Sequence, residues 1–235
     1  MTNAKVYEKL FKELNKQLEK HKIIVKTGAI VDASVIDTPL KPKGKLTHQV
    51  VEDRSEETQQ PSTELEKQYA DSVDKEASWI KKGGKLRYGY KKHYVTDNEG
   101  LVLGVVTTKA SVNEITNLEE VLDAANLPKG IAVKADKGYQ SEKNKQLLKD
   151  KELKNHILKK AKKNQPLTAW EQKFNKLVGK VRFKVERTFG SVKRWFNGGT
   201  ARYKGLEKMH TQNLIEAMCY NLYRSPGIIA SNSKN

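Results

Sequence analysis

The sequence predicts an α/β fold in which helices flank a mixed central sheet, and three observations support this prediction. Short apolar, β-branched runs alternate with longer segments whose apolar residues recur every three or four positions. Two of the short runs are separated only by the turn 97–100, which predicts an antiparallel hairpin. The chain has 235 residues, which is enough for one domain with a substantial core.

The first two elements are a helix and a strand that contains an acid. Apolar residues spaced by three and four predict a helix over 5–21, which either docks on the following domain or belongs to a region that precedes it. The apolar, β-branched run 30–36 predicts a buried strand with Asp32 in its middle. An ionised carboxylate is costly to bury unless it is paired or bound to metal. Asp32 is therefore either a metal ligand or a strand-end acid bonded to nearby backbone amides.

Residues 41–78 are the acidic part of the chain and show no hydrophobic period. They are rich in Pro, Thr, Ser and Gln, and carboxylates recur throughout them. This composition predicts a long, flexible acidic loop after the first strand. We expect its carboxylates to be solvated rather than catalytic.

The elements after residue 78 follow a regular order. They are strands over 86–95 and 101–108, a helix over 113–125, a strand over 131–136, a helix over 141–149, a strand over 156–158, a helix that includes 174–196 and a last helix over 208–223. The strand over 131–136 ends on an acid, Asp136. A basic turn follows the last strand, and its lysines are expected to contact phosphate: Lys159, Lys160, Lys162 and Lys163.

The helix over 174–196 places a single carboxylate, Glu186, among basic residues. Its apolar residues fall within a sector of about 80° on a helical wheel, which is typical of a core-facing helix. Arg182, Glu186 and Lys193 fall within about 40° of one another beside that stripe. One interpretation is a solvated i,i+4 pair between Arg182 and Glu186, worth only about 0.2–0.5 kcal/mol. The other interpretation is that Glu186 is a functional acid. This interpretation requires further acids of the chain to lie close to Glu186 in the fold.

The charge of the chain is strongly positive and unevenly distributed. The net charge is +17. Residues 1–130 contain 21 Lys and Arg against 20 Asp and Glu, a net charge of +1, whereas residues 131–235 contain 24 against 8, a net charge of +16. This asymmetry favours a polyanion, and nucleic acid in particular, as the partner of the second half. No apolar run approaches a membrane-spanning length, so no membrane partner is expected.

The cysteine content and the N-terminus indicate the compartment. Cys219 is the only cysteine in the sequence, which excludes an intrachain disulfide and a cysteine-based zinc cluster. The first residues lack the apolar core of a signal peptide. We therefore expect a protein of the reducing cytoplasm.

Three acids can meet in the predicted fold. If the strands that hold Asp32 and Asp136 are neighbours in the sheet, the late helix can bring Glu186 over them. Hard oxygen ligands of this kind suit Mg²⁺ or Mn²⁺. Two such ions about 3.5–4 Å apart can support phosphodiester displacement. The surrounding bases would then hold the DNA backbone.

These residues resemble the DDE transposases of bacterial insertion sequences, most closely the group named after insertion sequence five. The likeness extends from about residue 26 to 225, and Arg182-x₃-Glu186-x₆-Lys193 is similar to the glutamate signature of these proteins. The other matching motifs, in chain order, are Gly28-Ala29-Ile30-Val31-Asp32-Ala33, Gly89-Tyr90-Lys91-Lys92-His93, Ala135-Asp136-Lys137-Gly138-Tyr139, Val185-Glu186-Arg187-Thr188-Phe189 and Asn221-Leu222-Tyr223-Arg224.

The resemblance implies a ribonuclease H-like fold and metal-dependent DNA strand cleavage and strand transfer at insertion-sequence ends. Asp32, Asp136 and Glu186 would be the catalytic metal ligands, with two Mg²⁺ or Mn²⁺ ions expected in the presence of substrate. The chain would act as a homo-oligomer on double-stranded DNA, both terminal repeats and target, in the nucleoid of a bacterial cytoplasm. Besides the four lysines after the last strand, the expected phosphate contacts are Arg182, Arg187, Lys193 and Arg194.

The resemblance also divides the chain. Residues 1–25 are interpreted as the remnant of an additional N-terminal DNA-binding region that such transposases usually carry, and residues 26–225 as the catalytic domain. Residues 226–235 are expected to be a disordered tail. Two other functions stay open: a non-catalytic DNA-binding remnant, which needs the bases but not the acids, and a ribonuclease H-like nuclease or resolvase, which hydrolyses DNA without joining it.

The remaining aromatic and histidine residues are expected to be mostly structural. Trp79 and Trp170 are expected to be buried, whereas Trp195 follows Arg194 and suits stacking on an unpaired base as well as packing. His93 and His210 are expected to be hydrogen-bonded inside the fold.

Overall fold

The computed structural model describes residues 4–43, 47–52, 63–68, 71–161 and 165–232. The helices are α1 (Ala4–Lys20), α2 (Leu118–Ala125), α3 (Glu142–Asp150), α4 (Ala169–Phe196) and α5 (Leu206–Asn232). The strands are β1 (Gly28–Asp37), β2 (Thr47–Glu52), β3 (Thr63–Gln68), β4 (Ser78–Lys82), β5 (Lys85–Thr96), β6 (Val102–Lys109), β7 (Ala132–Ala135) and β8 (Lys154–Ile157). Short 3₁₀ turns cover Glu114–Thr116 and Lys137–Tyr139.

Within the described residues, six strands form a mixed sheet in the order β4-β5-β1-β7-β8, with β6 also paired to β5. β1 runs antiparallel to β5 and parallel to β7, and β7 runs parallel to β8. β5 is 12 residues long, so it pairs with β4 along its first part and with β6 along the rest. The parallel neighbours β7 and β8 are joined by α3, because parallel strands need a crossover connection.

Helices cover both faces of the sheet. One face packs against α2 and α3 through a buried cluster that includes Val31 and Leu122. The other face packs against α1, α4 and α5 through a second cluster that includes Ile30 and Val185. Ile30 and Val31 belong to different clusters because successive strand residues point to opposite faces.

Local interactions fix where α4 begins and how it is seated. Thr168 and Glu171 form a reciprocal capping box at its N-terminus. Further along, the Thr188 hydroxyl donates to the carbonyl of Gly100 in the turn between β5 and β6, at 2.7 Å. Gly100 has φ of 88°, and a Cβ there would lie 2.9 Å from Thr188 Oγ1, so glycine suits this contact. The contact holds α4 against the end of the sheet.

The predicted α/β fold with a mixed central sheet flanked by helices is confirmed, and the predicted elements occur in the predicted order. The structure adds β4 and, inside the predicted loop 41–78, the antiparallel pair of β2 and β3. The flexibility of this loop stays a prediction. Near its end Asp74 is buried and accepts a hydrogen bond from the Tyr90 hydroxyl at 2.6 Å, so this carboxylate is structural rather than solvated.

Both ends of the chain are helical and pack on the core, which for α1 is one of the two alternatives considered from the sequence. α1 docks on the domain that follows, with Phe11 and Leu18 buried in its core clusters. α5 continues through Pro226 to Asn232 and buries Ile228, so the helix extends into the segment expected to be a disordered tail. In the described part of the chain no helix is long and apolar enough to cross a membrane.

Candidate active site

The sheet brings the two predicted strand acids together. Val31 of β1 lies opposite Ala135 of β7 in a parallel pair. Asp32 and Asp136 are the next residues of the two chains, so they emerge at the same level of the sheet. Asp136 begins the 3₁₀ turn that follows β7, and its Oδ1 accepts the Lys137 N–H at 2.7 Å.

Arg182 of α4 contacts both of these carboxylates. Its Nη2 lies 3.1 Å from Asp32 Oδ2, and its Nη1 lies 3.5 Å from Asp136 Oδ1. The solvated Arg182–Glu186 pair considered from the sequence is therefore not formed. Because one planar guanidinium contacts both acids, oxygens of the two carboxylates point toward the same point, where a positively charged group can bind.

Burial makes Asp32 the less easily ionised partner in this arrangement. Its side chain is 18% exposed, against 40% for Asp136. Desolvation is the largest influence and raises the pKa of Asp32 above its usual range, while the Arg182 guanidinium and the Ala33 N–H act in the opposite direction. A nearby cation therefore stabilises the ionised form of Asp32.

Glu186 lies one helical turn after Arg182 but does not join the pair in this structure. Its side chain is exposed, and it forms no hydrogen bond or ion pair with the described residues. Within the same residues, no group of three or more His, Cys, Asp and Glu is arranged to hold a metal ion. The assignment of Glu186 to the metal site remains a prediction.

The basic residues predicted to contact phosphate lie on α4 and on the segment before it. Arg187, Lys193 and Arg194 are exposed on α4. Arg187 also donates to the carbonyl of Glu99, and Arg194 lies 4.9 Å from the ring of Trp195. Before the helix, Lys160 is exposed and the Lys159 ammonium lies 5.6 Å from the ring of Phe174, whereas Lys162 and Lys163 fall outside the described residues.

The tryptophan expectations are corrected in part. Trp79 and Trp170 were expected to be buried, but they are 40% and 65% exposed. Trp170 stacks on Phe174 at the solvent-facing start of α4, with ring centroids 5.4 Å apart. Trp195 is 55% exposed. His93 is fully buried and hydrogen-bonded to Thr108, in accord with a structural role.

A second set of charges near the acidic pair was not identified from the sequence. The charge of Glu114, in the turn before α2, adds to burial in raising the pKa of Asp32. Glu114 Oε1 lies 3.4 Å from Lys91 Nζ and 3.9 Å from Lys82 Nζ. The sequence contained one signal for this ion pair. Lys91 lies in a predicted strand, and a lysine that is buried in a strand needs an acidic partner.

Comparison with known proteins identifies the family. The chain matches the model described as "Transposase DDE domain" over residues 24–222. It is also similar to the "Transposase for insertion sequence element IS1106" of Neisseria meningitidis serogroup B, with 38% identity over 218 residues, covering 92% of this chain and 72% of the relative.

Two solved structures show a much weaker similarity. The "Crystal structure of the Mos1 Strand Transfer Complex" matches 98% of this chain and 62% of that chain at 14% identity, with a TM-score of 0.31. The "Mos1 transposase paired-end complex with left transposon end" matches 96% and 61% at 12% identity, with a TM-score of 0.29. The chain thus spans about three fifths of these solved chains, and a likeness this low supports no further argument.

The family model covers most of the chain, and the relative from Neisseria meningitidis shares more than a third of the aligned residues. Members of this family cleave and transfer DNA strands and generally use a divalent metal ion. The chain therefore belongs to the DDE-type transposases of insertion sequences, as its residues predicted.

Proposed function

We propose that this chain cleaves DNA at insertion-sequence ends and joins the cut ends to target DNA, with Asp32, Asp136 and Glu186 as its catalytic residues. The observation that carries the proposal is the contact of Asp32, within β1, and Asp136, directly after β7, with the guanidinium of Arg182. This contact places their oxygens around a single position for positive charge. Glu186 is the third acid because residues four apart on a helix share a face, and Arg182 on that face already reaches the pair.

The donor set fits a hard divalent cation. Carboxylate oxygens are the ligands that Mg²⁺ and Mn²⁺ prefer, and a cation favours the ionised form of Asp32, whose pKa is raised by burial. Asp32 and Asp136 would hold such an ion, and Glu186 would complete the site, with two ions expected in the presence of DNA. When bound, they activate the attacking oxygen and stabilise the leaving oxygen of the phosphodiester.

Arg182 keeps the two aspartates together as anions. Two neighbouring carboxylates repel each other, and one of them would otherwise take up a proton. The guanidinium offsets this repulsion. Asp32 and Asp136 would hold a divalent cation that offsets more of this repulsion, and Arg182 would then be available to contact a phosphate of the DNA.

We infer that duplex DNA lies along α4 and the segment before it. The exposed bases there provide sequence-independent contacts to the phosphate backbone. The residues assigned to these contacts are Arg187, Lys193, Arg194, Lys159, Lys160, Lys162 and Lys163. Because two insertion-sequence ends must be joined to one target, we propose a homo-oligomer on DNA, acting on the nucleoid of the bacterial cytoplasm.

The test is cleavage and strand transfer with DNA that contains the ends of the encoding element, in Mg²⁺ or Mn²⁺. Asp136→Asn and Glu186→Gln retain the side-chain shape and remove the charge, so both should abolish cleavage while binding to duplex DNA is retained. Glu142→Gln is a matched control, because that side chain is 92% exposed on α3. It should leave both reactions unchanged.

The outcomes separate the candidate functions. Cleavage and joining at the wild-type rate by Glu186→Gln would remove Glu186 from the site. Cleavage without joining would identify a nuclease or resolvase. DNA binding without cleavage by the wild type in either metal would identify a DNA-binding remnant.

A further inference from the structure

The hairpin of β4 and β5 projects beyond the sheet. Lys82 pairs with Lys85, so the strands are joined by the two-residue turn Gly83-Gly84. Both glycines have positive φ, 59° and 76°, as expected of the tight turn that matches the twist of a hairpin. No described atom lies within 4 Å of the positions that their Cβ atoms would take, so the tip is surrounded by open space.

One face of this hairpin carries three cations. Residues directly opposite each other share a face, and the pairs Lys82–Lys85 and Ile80–Arg87 therefore put Lys82, Lys85 and Arg87 together. Residues 78–90 contain no acid. Like charges directly opposite each other destabilise a hairpin. Lys85 has no ion-pair partner among the described residues, so the hairpin itself does not compensate this repulsion.

These cations lie beside the acidic pair. Lys82 lies 3.9 Å from Glu114, whose charge acts on Asp32. Arg87 binds Asp37, the last residue of the strand that carries Asp32, with Nη2–Oδ2 at 2.6 Å. Partial burial is the main cause that lowers the pKa of Lys193 on α4, and the charges of Arg87 and Lys82 lower it further. The positive charges of the hairpin therefore act on α4.

The opposite face of the hairpin carries Lys81, the buried Tyr88 and two exposed apolar side chains, Trp79 and Leu86. Trp79 lies opposite Tyr88, and Lys81 lies opposite Leu86. Leu86 is 65% exposed at the tip. A side chain of this kind suits contact with sugars and base edges inside a groove, while the cations of the other face suit its phosphate walls.

We propose that the β4–β5 hairpin is a DNA-binding ribbon that enters a groove of the duplex beside Asp32 and Asp136, with Lys82, Lys85 and Arg87 facing phosphates. The major groove of B-DNA, about 12 Å wide, admits a two-stranded β-ribbon. A dense polyanion also supplies the counter-charge that Lys85 lacks among the described residues. This inference rests on the proposed function, because it takes the DNA cut at the acidic pair as the occupant.

The test compares two pairs of charge deletions in the full chain. Lys82→Ala with Lys85→Ala removes the two cations next to the turn, of which Lys82 lies 3.9 Å from Glu114 and Lys85 has no ion-pair partner among the described residues. Lys143→Ala with Lys149→Ala removes the same charge from exposed positions of α3, to which no DNA contact is assigned, and serves as the control. The affinity of each protein for a short random-sequence duplex is measured over a series of salt concentrations, and the melting curve of each verifies folding.

We expect the negative slope of log K against log salt to be less steep in the hairpin variant, by about 0.9 for each phosphate that the removed lysines neutralise in the wild type. The control should keep the wild-type slope. An unchanged slope in the folded hairpin variant, or an equal decrease in the control, would overturn the inference. If the wild type cuts DNA and the hairpin variant binds DNA with the wild-type salt dependence, the role of the hairpin in DNA binding is refuted and the proposed function is not. If the wild type neither binds nor cuts DNA, the proposed function fails first.

Discussion

Two clusters of charge lie close together on the sheet face that α4 and α5 cover, and they differ in how completely they are neutralised. In the first, Lys92 of β5 donates to Glu216 of α5 at 2.5 Å, and neither side chain is more than 5% exposed. In the second, Arg182 contacts Asp32 and Asp136 at the longer distances of 3.1 and 3.5 Å. In the β1–β5 register Lys92 and Asp32 are only two positions apart.

The first cluster is closed. Glu216 Oε1 accepts a second hydrogen bond from Gln212, which also donates to the carbonyl of Thr200 in the connection between α4 and α5. Gly198 of the same connection fits against the carboxylate, because a Cβ there would lie 2.6 Å from Glu216 Oε2. The pair therefore fixes the end of α4 to the sheet.

The second cluster is open. Arg182 Nε is buried without a hydrogen-bond partner among the described residues, and Asp136 remains partly exposed. Carboxylate oxygens in this state can still accept a new cation, whereas those of Glu216 cannot. The comparison indicates that an ion pair whose hydrogen bonds are all formed stabilises the fold. An ion pair of the same chemistry with unfilled hydrogen bonds can still bind a ligand.

The largest effect is expected at the closed cluster. Lys92→Met leaves the Glu216 carboxylate buried without its cation, which should lower the free energy of unfolding by about 3–5 kcal/mol. Chemical denaturation measures this decrease. The double variant Lys92→Met with Glu216→Leu should recover most of it, because replacing both buried charges by apolar groups is often close to neutral. A double variant as unstable as the single one would show that the pair is not the source of the instability.

A buried acid without a cation provides an intermediate case. Asp97 accepts from the Glu99 and Leu101 N–H groups with Oδ1, while its Oδ2 is buried and has no partner among the described residues. Burial, which outweighs these hydrogen bonds, raises its pKa to about 6. The folded state therefore holds this proton at pH values where the unfolded chain has released it, and stability falls as pH rises from about 4 to about 6.

Asp97→Asn should remove this part of the pH dependence. Asn keeps an oxygen for the two backbone donors and carries no charge at any of these pH values. Relative to the wild type, the variant should be more stable at pH 7 than at pH 4, by about 1.4 kcal/mol for each unit by which the pKa of Asp97 is raised. Unfolding by denaturant at both pH values measures the difference. A difference that is the same at pH 4 and pH 7 would contradict the assignment.

The sequence predicted the order of elements because apolar period and turn residues are local signals. It also predicted that Asp32 and Asp136 can meet if their strands are neighbours in the sheet, and β1 and β7 are paired in this way. It did not predict that Arg182 contacts Asp32 and Asp136. Helical spacing alone favours Glu186 at i+4 as its partner, and the two aspartates come within reach only because α4 packs on the sheet. The end of α5 was missed because Pro226 usually ends a helix, whereas here Ile228 docks in the core.

The smallest stability effect is expected at the open cluster, and it distinguishes the two clusters most directly. Arg182→Gln removes the guanidinium, but water can hydrate Asp136 and reach Asp32, so the free energy of unfolding should fall by only about 1 kcal/mol or less. Because the two carboxylates then repel each other, Mg²⁺ should raise the melting temperature of this variant more than that of the wild type. The Mg²⁺ shift should disappear when Asp136→Asn is added. A decrease in stability as large as that of Lys92→Met, or a Mg²⁺ shift that survives Asp136→Asn, would mean that Arg182 closes a structural pair and that the two clusters are alike.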